Sequence, residues 1–172
     1  MPKLILIRGY SGSGKSTLAK SIASKYKFAM LGHDSFIFDY HPFKLSGKEF
    51  KLANQNMFSC FKNYINKSYN IILEGVFASI DKRINDIDID KFVKLAKKHK
   101  YKIINILLIV NKTESCKRTK KRGTPVSGSL FQKLKKSLDK TLYGDELVID
   151  TSKLEKQEIL NLIERKYFNK YN

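Results

Sequence analysis

Cysteine is scarce in this chain. Cys60 and Cys116 are the only two, and neither has a CxxC neighbour, so the sequence indicates neither a disulfide framework nor a thiolate zinc site. The three histidines, His33, His41 and His99, lack metal-ligand spacing. Long apolar runs are missing as well. The longest, such as Ile106 to Val110 and Leu4 to Ile7, reach about a quarter of the roughly 20 residues needed to span a bilayer. No cleavable leader precedes the first apolar segment, so the chain is expected to be soluble and cytoplasmic, without a membrane partner. There is no low-complexity linker and no internal repeat. With 172 residues, 42% of them hydrophobic, there is enough apolar material for one core but hardly two, and a single domain over residues 1–172 is expected.

Negative charge is thin too. Asp and Glu number 16 against 34 Lys and Arg, which leaves a net +18 and a pI near 9.8. Such an excess suits polyanionic partners or substrates. Of the cations 29 are Lys and 5 are Arg, and Ile (18) and Asn (11) are abundant, a skew that AT-rich codons produce without selection for binding. Glu also has an AT-rich codon, yet there are only 7, so part of the imbalance carries meaning. Residues 91–172 hold net +13 against +5 for residues 1–90.

What is present is an alternation of short apolar runs with longer stretches of helical periodicity, which reads as α/β with a parallel sheet. Strands are expected at Leu4 to Arg8, Phe28 to Gly32, Asn70 to Leu73, Lys102 to Val110 and Glu146 to Ile149. Helices are expected at Lys15 to Lys25, Lys48 to Asn66, Asp88 to Lys100, Thr113 to Arg122, Phe131 to Leu142 and Glu155 to Tyr167. The resulting architecture is a five-stranded parallel sheet with helices on both faces.

Gly9 to Ser16 reads G-Y-S-G-S-G-K-S, the eight-residue P-loop pattern G-x-x-x-x-G-K-[ST]. It stands directly after a strand and directly before a helix, where backbone N–H groups and the positive helix end converge on phosphates. Gly9, Tyr10, Ser11, Gly12, Ser13, Gly14, Lys15, Ser16 and Thr17 are therefore the expected nucleotide-binding residues. Lys15 would reach the β- and γ-phosphates and Ser16 would take one Mg²⁺ position, so ATP and Mg²⁺ are the expected cofactors.

In an open α/β sheet ligands sit beyond the carboxyl ends of the strands. Asp34 follows the second strand and is the candidate general base for an acceptor hydroxyl, although a turn or cap role also suits Asp there. Glu74, ending the third strand, is the candidate for a Mg²⁺-bound water or an acceptor hydroxyl, with an exposed strand terminus as the alternative. Arg118 and Arg122 are four apart, on one face of a short helix, and would clamp the triphosphate. They belong to a basic lid expected at about residues 112–128. Asp150, Thr151, Ser152 and Lys153 fit either a loop beside the nucleotide base or a strand end with a helix cap.

R-G-Y-S-G-S-G-K-S-T, H-D-S after the second strand, and K-R-T-K-K-R-G-T about a hundred residues on resemble the P-loop kinase group of phage-type polynucleotide 5′-kinases, zeta toxins and chloramphenicol phosphotransferase. The likeness covers about 150 residues. It implies Lys15 and Ser16 at the phosphates, Asp34 as base, and Arg118 and Arg122 as lid arginines, all serving γ-phosphoryl transfer to a hydroxyl. One departure concerns the acceptor. In the polynucleotide kinases an arginine follows the base within the same turn, whereas this chain has D-S-F-I-F-D-Y, closer to the chloramphenicol phosphotransferase type.

Two acceptors are thus in play. Ten Lys/Arg against two acids in residues 112–140 favour a polynucleotide 5′-hydroxyl. Phe36, Phe38, Tyr40 and Phe43 would line a pocket for a small alcohol, or stack on a base, or simply pack. A third reading, an ATPase or GTPase switch, has only N-K-T-E at Asn111 to Glu114 as a distant likeness to the guanine-reading N-K-x-D. Oligomeric state is not legible.

Overall fold

Alternate side chains of β1 (Lys3–Gly9) leave opposite faces of the sheet. Ile5 and Ile7 pack with Leu18, Ala19 and Ile22 of α1 (Lys15–Tyr26) and with Ile159, Leu160 and Ile163 of α6 (Lys156–Tyr167). Leu4 and Leu6 pack on the other face, with Met57, Phe61 and Ile65 of α2 (Gly47–Asn66) and Phe92 and Ala96 of α3 (Ile89–Lys98). Both faces are covered, which is why β1 reads as an unbroken apolar run. Each such aliphatic side chain contributes about 1.5–3 kcal/mol of burial.

The computed structural model describes residues 1–40, 46–77, 88–139 and 145–168. The remaining strands are β2 (Ala29–Gly32), β3 (Ile71–Glu74), β4 (Lys102–Ile109) and β5 (Leu147–Asp150). All pairings are parallel and the order is β2-β3-β1-β4-β5. The chain builds one side of the sheet from β1 through β3, then crosses to the other side with β4. The loop after β1 therefore lies at the point where the winding reverses, the usual ligand crevice of such sheets.

The expected elements are all present, with shifts at their ends. α4 (Lys112–Lys121) is followed by α5 (Gly128–Asp139), which starts three residues before Phe131 because the Ser127 hydroxyl caps the Leu130 N–H (3.2 Å). The end expected for that helix at Leu142, like Phe43 and His41, lies outside the described residues. One element was not expected: a π-helical turn at Ser35–Asp39 that joins β2 to the segment before α2. Among the described residues, no helix is long and apolar enough to cross a membrane.

A third apolar cluster joins α5 to the sheet through Tyr10, Leu107, Val110, Phe131, Leu134 and Leu138. Beneath it, Arg8 is wholly buried and forms a two-pronged ion pair with Glu146, Nε to Oε1 at 3.0 Å and Nη2 to Oε2 at 2.9 Å. That pair fixes the strand that carries the phosphate loop to the segment that starts β5.

Candidate active site

Gly9 ends β1 so close to β4 that a Cβ there would stand 2.1 Å from the Leu108 carbonyl oxygen, so a side chain would force the strands apart. Gly14 precedes α1 with φ 90° and ψ 14°, a left-handed conformation that glycine adopts without penalty. It brings no side chain to cap the helix, and the first turn holds no acidic residue. The first N–H groups of α1 are thus left to an incoming anion. Thr17 stands exposed in that turn.

Lys15 is buried, and its Nζ donates to the Tyr10 carbonyl at 3.0 Å. Burial lowers its pKa, the carboxylates of Glu74 and Asp34 oppose that shift, and Arg122 adds to it. These four charges therefore share one neighbourhood. The Ser16 hydroxyl donates to Glu74 Oε2 at 3.3 Å. Glu74 is buried, not an exposed strand terminus. Burial pushes its carboxyl up; Lys15 pulls it back, Asp34 pushes it further up, and the Ser16 hydrogen bond lowers it. A hydroxyl and a carboxylate are hard oxygen donors of the kind Mg²⁺ accepts alongside nucleotide phosphates and water. Ser16 and Glu74 fit that ion.

Asp34 leaves the end of β2 exposed, in helical conformation just ahead of the π-helical turn. The turn buries Ile37 and presents Phe38 (58% exposed) and Tyr40 (71%) outward, while Phe36 packs toward α2 and stacks on Tyr40 with centroids 6.0 Å apart. The neighbouring His33 turns inward instead. Its Nε2 pairs with Asn54 Oδ1 of α2 at 2.9 Å and its ring lies 5.7 Å from that of Phe77. Burial lowers the His33 pKa, against the Asn54 hydrogen bond and Asp34.

The two arginines expected in a lid part company. Arg118 is held by protein acceptors: Glu114 Oε1 (3.0 Å), the Thr151 carbonyl (2.8 Å) and hydroxyl (3.3 Å), and the Gly12 carbonyl (3.4 Å). Arg122, the exposed C-cap of α4, donates to the Thr124 hydroxyl at 3.1 Å, and its charge reaches Lys15. Asn111 caps α4 by accepting from the Glu114 N–H (2.8 Å), so N-K-T-E begins a helix. Asp150 accepts from the Ser152 N–H (2.8 Å) and the Thr151 hydroxyl donates to the Ile109 carbonyl (3.1 Å), closing the turn after β5; Lys153 is exposed.

Sequence reasoning missed the side chains that support the loop from behind. The Ser115 hydroxyl donates to the Ser11 carbonyl at 2.7 Å, and Thr119 accepts from the Val126 N–H at 3.2 Å, tying α4 to the loop and to the start of α5. Both are fully buried. Ser115 and Thr119, small hydroxyl residues four apart on one face of a strongly basic helix, were the available signal. The Tyr10 side chain leaves the cradle altogether. Its hydroxyl donates to Asp139 Oδ1 (2.8 Å), its ring meets Phe131 edge-on at 5.5 Å, and Lys135 closes the group by bonding Asp139 at 2.6 Å.

A phosphate loop at the reversal of a parallel 2-3-1-4-5 sheet, with a lysine, a serine and two carboxylates gathered beside it, defines a P-loop fold of the kinase type. The family model described as AAA domain matches residues 4–141, and the chain belongs to that family. No curated protein matches it. Solved structures with the same fold include one from Chloroflexus aurantiacus assigned as a kinase (18% identity, TM-score 0.67, covering 95% of this chain and 97% of that one). A sugar kinase from Janibacter is similar at 15% identity and TM-score 0.64, covering 96% and 94%. Deoxyadenosine kinase from M. mycoides is similar at 18% identity and TM-score 0.58, covering 95% and 98%. At these identities the likeness is one of fold.

Proposed function

We propose that this protein is an ATP-dependent kinase that transfers the γ-phosphoryl group to a hydroxyl, the best fit being the 5′-hydroxyl at a polynucleotide end. The observation that carries the reading is the uncapped start of α1 with Lys15 bonded to the Tyr10 carbonyl and Ser16 bonded to Glu74 beside it, while Asp34 and Arg122 lie near enough for their charges to act on Lys15. The α1 amides and Lys15 would bind the phosphates, with Lys15 exchanging the Tyr10 carbonyl for a phosphate oxygen. Ser16 and Glu74 would hold Mg²⁺, which supplies charge neutralisation across the β- and γ-phosphates. Asp34 would accept the proton as the acceptor oxygen bonds to the γ-phosphorus. The bond to the β–γ bridging oxygen breaks, and ADP departs with the electron pair. Arg122 would stabilise the charge on the transferring group, while Arg118, already bonded to Gly12 and Thr151, would hold the loop and the turn after β5 on the nucleotide side.

Exposed Phe38 and Tyr40 beside Asp34 suit an acceptor with a planar ring, and the lysines of α4 and α5 suit one that carries further phosphates. A free small alcohol is the second reading, favoured by the lack of an arginine in Asp34 to Tyr40. Labelled γ-phosphate supplied to a panel of 5′-hydroxyl oligonucleotides, nucleosides, sugars and aminoglycosides tests both. Transfer to oligonucleotides that falls at least ~100-fold in Lys15→Ala and in Asp34→Asn is the expected result. Transfer to small alcohols alone establishes the second reading, and release of phosphate with no acceptor labelled overturns both.

A further inference from the structure

The phosphate loop occupies the carboxyl end of the sheet, so its charge is accounted for there. The opposite end is also strongly basic. Lys3 and Lys102 open β1 and β4 and are Cα partners across the sheet. Lys97 and Lys98 close α3, and Lys100 lies in the turn that leads into β4. Lys67 caps α2, whose exit is joined to this turn by the Tyr101 hydroxyl donating to the Tyr69 carbonyl (2.8 Å). Lys27 caps α1, while Arg165 and Lys166 end α6, where Phe168 stacks on Tyr26 at 4.0 Å and lies 4.8 Å beneath Lys3 Nζ.

The segments at this end, residues 1–7, 23–32, 62–73, 95–105 and 163–168, hold eleven Lys/Arg and a single acid. That acid, Glu164, is bonded to Lys25 at 2.6 Å. At the start of β5, Glu146 is matched by buried Arg8, and Asp145 accepts from Asn105 at 2.9 Å. Lysines at helix C-termini offset the helix dipole, and four helices end here. Each brings about half a negative charge, so together with Asp145 they leave an excess of about seven positive charges. Dipole compensation therefore explains only a minor part of the cluster.

We infer that this basic end is a docking surface for the phosphate backbone of a nucleic acid, separate from the site of phosphoryl transfer. Backbone binding needs only cations spaced over a surface, and these, apart from half-buried Lys3, are exposed. A bilayer would also require a band of apolar side chains to insert; α3 turns Phe92 and Ala96 into the core, and of the large apolar side chains in these segments two, Met1 and Tyr69, stand exposed. Docking here leaves the phosphate loop and lid free. It does not depend on which acceptor the kinase uses.

A fluorescent duplex with both 5′ ends phosphorylated offers no 5′-hydroxyl to the transfer site, so binding is read apart from phosphoryl transfer. With Lys67, Lys97, Lys98, Lys100 and Lys102 contacting phosphates, affinity is expected to fall several hundredfold from about 50 to 200 mM salt. Replacing Lys97, Lys98 and Lys100 by Gln should weaken binding at least ~10-fold and make the log–log salt slope shallower by nearly three. Lys15→Ala should leave it unchanged. A charge-matched variant, Lys48, Lys51 and Lys156 to Gln, removes exposed lysines outside both this end and α4–α5 and so separates local docking from net charge, and thermal melts confirm that both variants fold. Equal losses in the two triple variants, no binding of the duplex, or preferred binding to phosphatidylserine vesicles overturns the inference. Absence of kinase activity would leave these binding outcomes, and the inference, untouched.

Discussion

Lys15 illustrates how a single residue is poised by its surroundings. Its ammonium is buried and held on the Tyr10 carbonyl, with two carboxylates near enough to support its charge. Tyr10 itself has two roles, one from the backbone and one from the side chain. Tyr10→Phe keeps the edge contact with Phe131 but removes the hydrogen bond to Asp139, which should cost about 0.5–1.5 kcal/mol in urea denaturation. His33 gives a pH signature. Because burial lowers its pKa in the folded state from the ordinary 6.5, the unfolded chain takes up the proton first. The stability His33 contributes is complete above pH 6.5 and is lost as pH falls through the folded-state value. His33→Gln, which keeps a partner for Asn54, should flatten that part of the stability profile relative to the parent; an unchanged difference between the two at every pH would refute it.

At the scale of elements, the phosphate loop is held by α4 as much as by β1. Ser115 and Arg118 both bond carbonyls of the loop, Ser11 and Gly12, from a helix more than a hundred residues later. Ser115→Ala leaves the Ser11 carbonyl without this donor. A cost of about 1 kcal/mol is expected, seen as roughly fivefold weaker nucleotide binding by calorimetry with little change in fold. The start of α2 is secured differently, by a capping box in which Ser46 and Glu49 satisfy each other's backbone N–H. Ser46→Ala should lower stability by about 1 kcal/mol and leave nucleotide affinity alone. The π-helical turn after Asp34 belongs to this scale as well: the five residues S-F-I-F-D predict neither strand nor ordinary helix, and packing of Ile37 and Phe36 decides their path.

Across the whole molecule, the sheet is bound together by charge as well as by its apolar clusters. The Arg8–Glu146 pair, with both side chains 1% exposed, links β1 to the start of β5. Arg8→Met alone should destabilise the fold by about 3–5 kcal/mol because it strands a buried carboxylate, whereas Arg8→Met with Glu146→Leu should recover most of the loss. Chemical denaturation of the two variants checks this; equal destabilisation would mean that packing, and not charge, holds the link.

The sequence by itself determined the strand–loop–helix of the P-loop, the alternation that makes a five-stranded parallel sheet, and the positions of Asp34 and Glu74 at strand ends. These follow from short-range rules: the backbone conformation that Gly14 permits, the two-residue period of strands and the helical spacing of apolar side chains. The tertiary structure alone decided that Arg118 serves the loop and the turn after β5 while Arg122 stays near Lys15, that Tyr10 turns to Asp139, and that His33 meets Asn54. It also decided that the lysines scattered through five segments collect at one end of the sheet. Such contacts join residues 129 apart, as in Tyr10 to Asp139, or 106 apart, as in Arg118 to Gly12. No local periodicity encodes them, because they depend on which strand lies beside which.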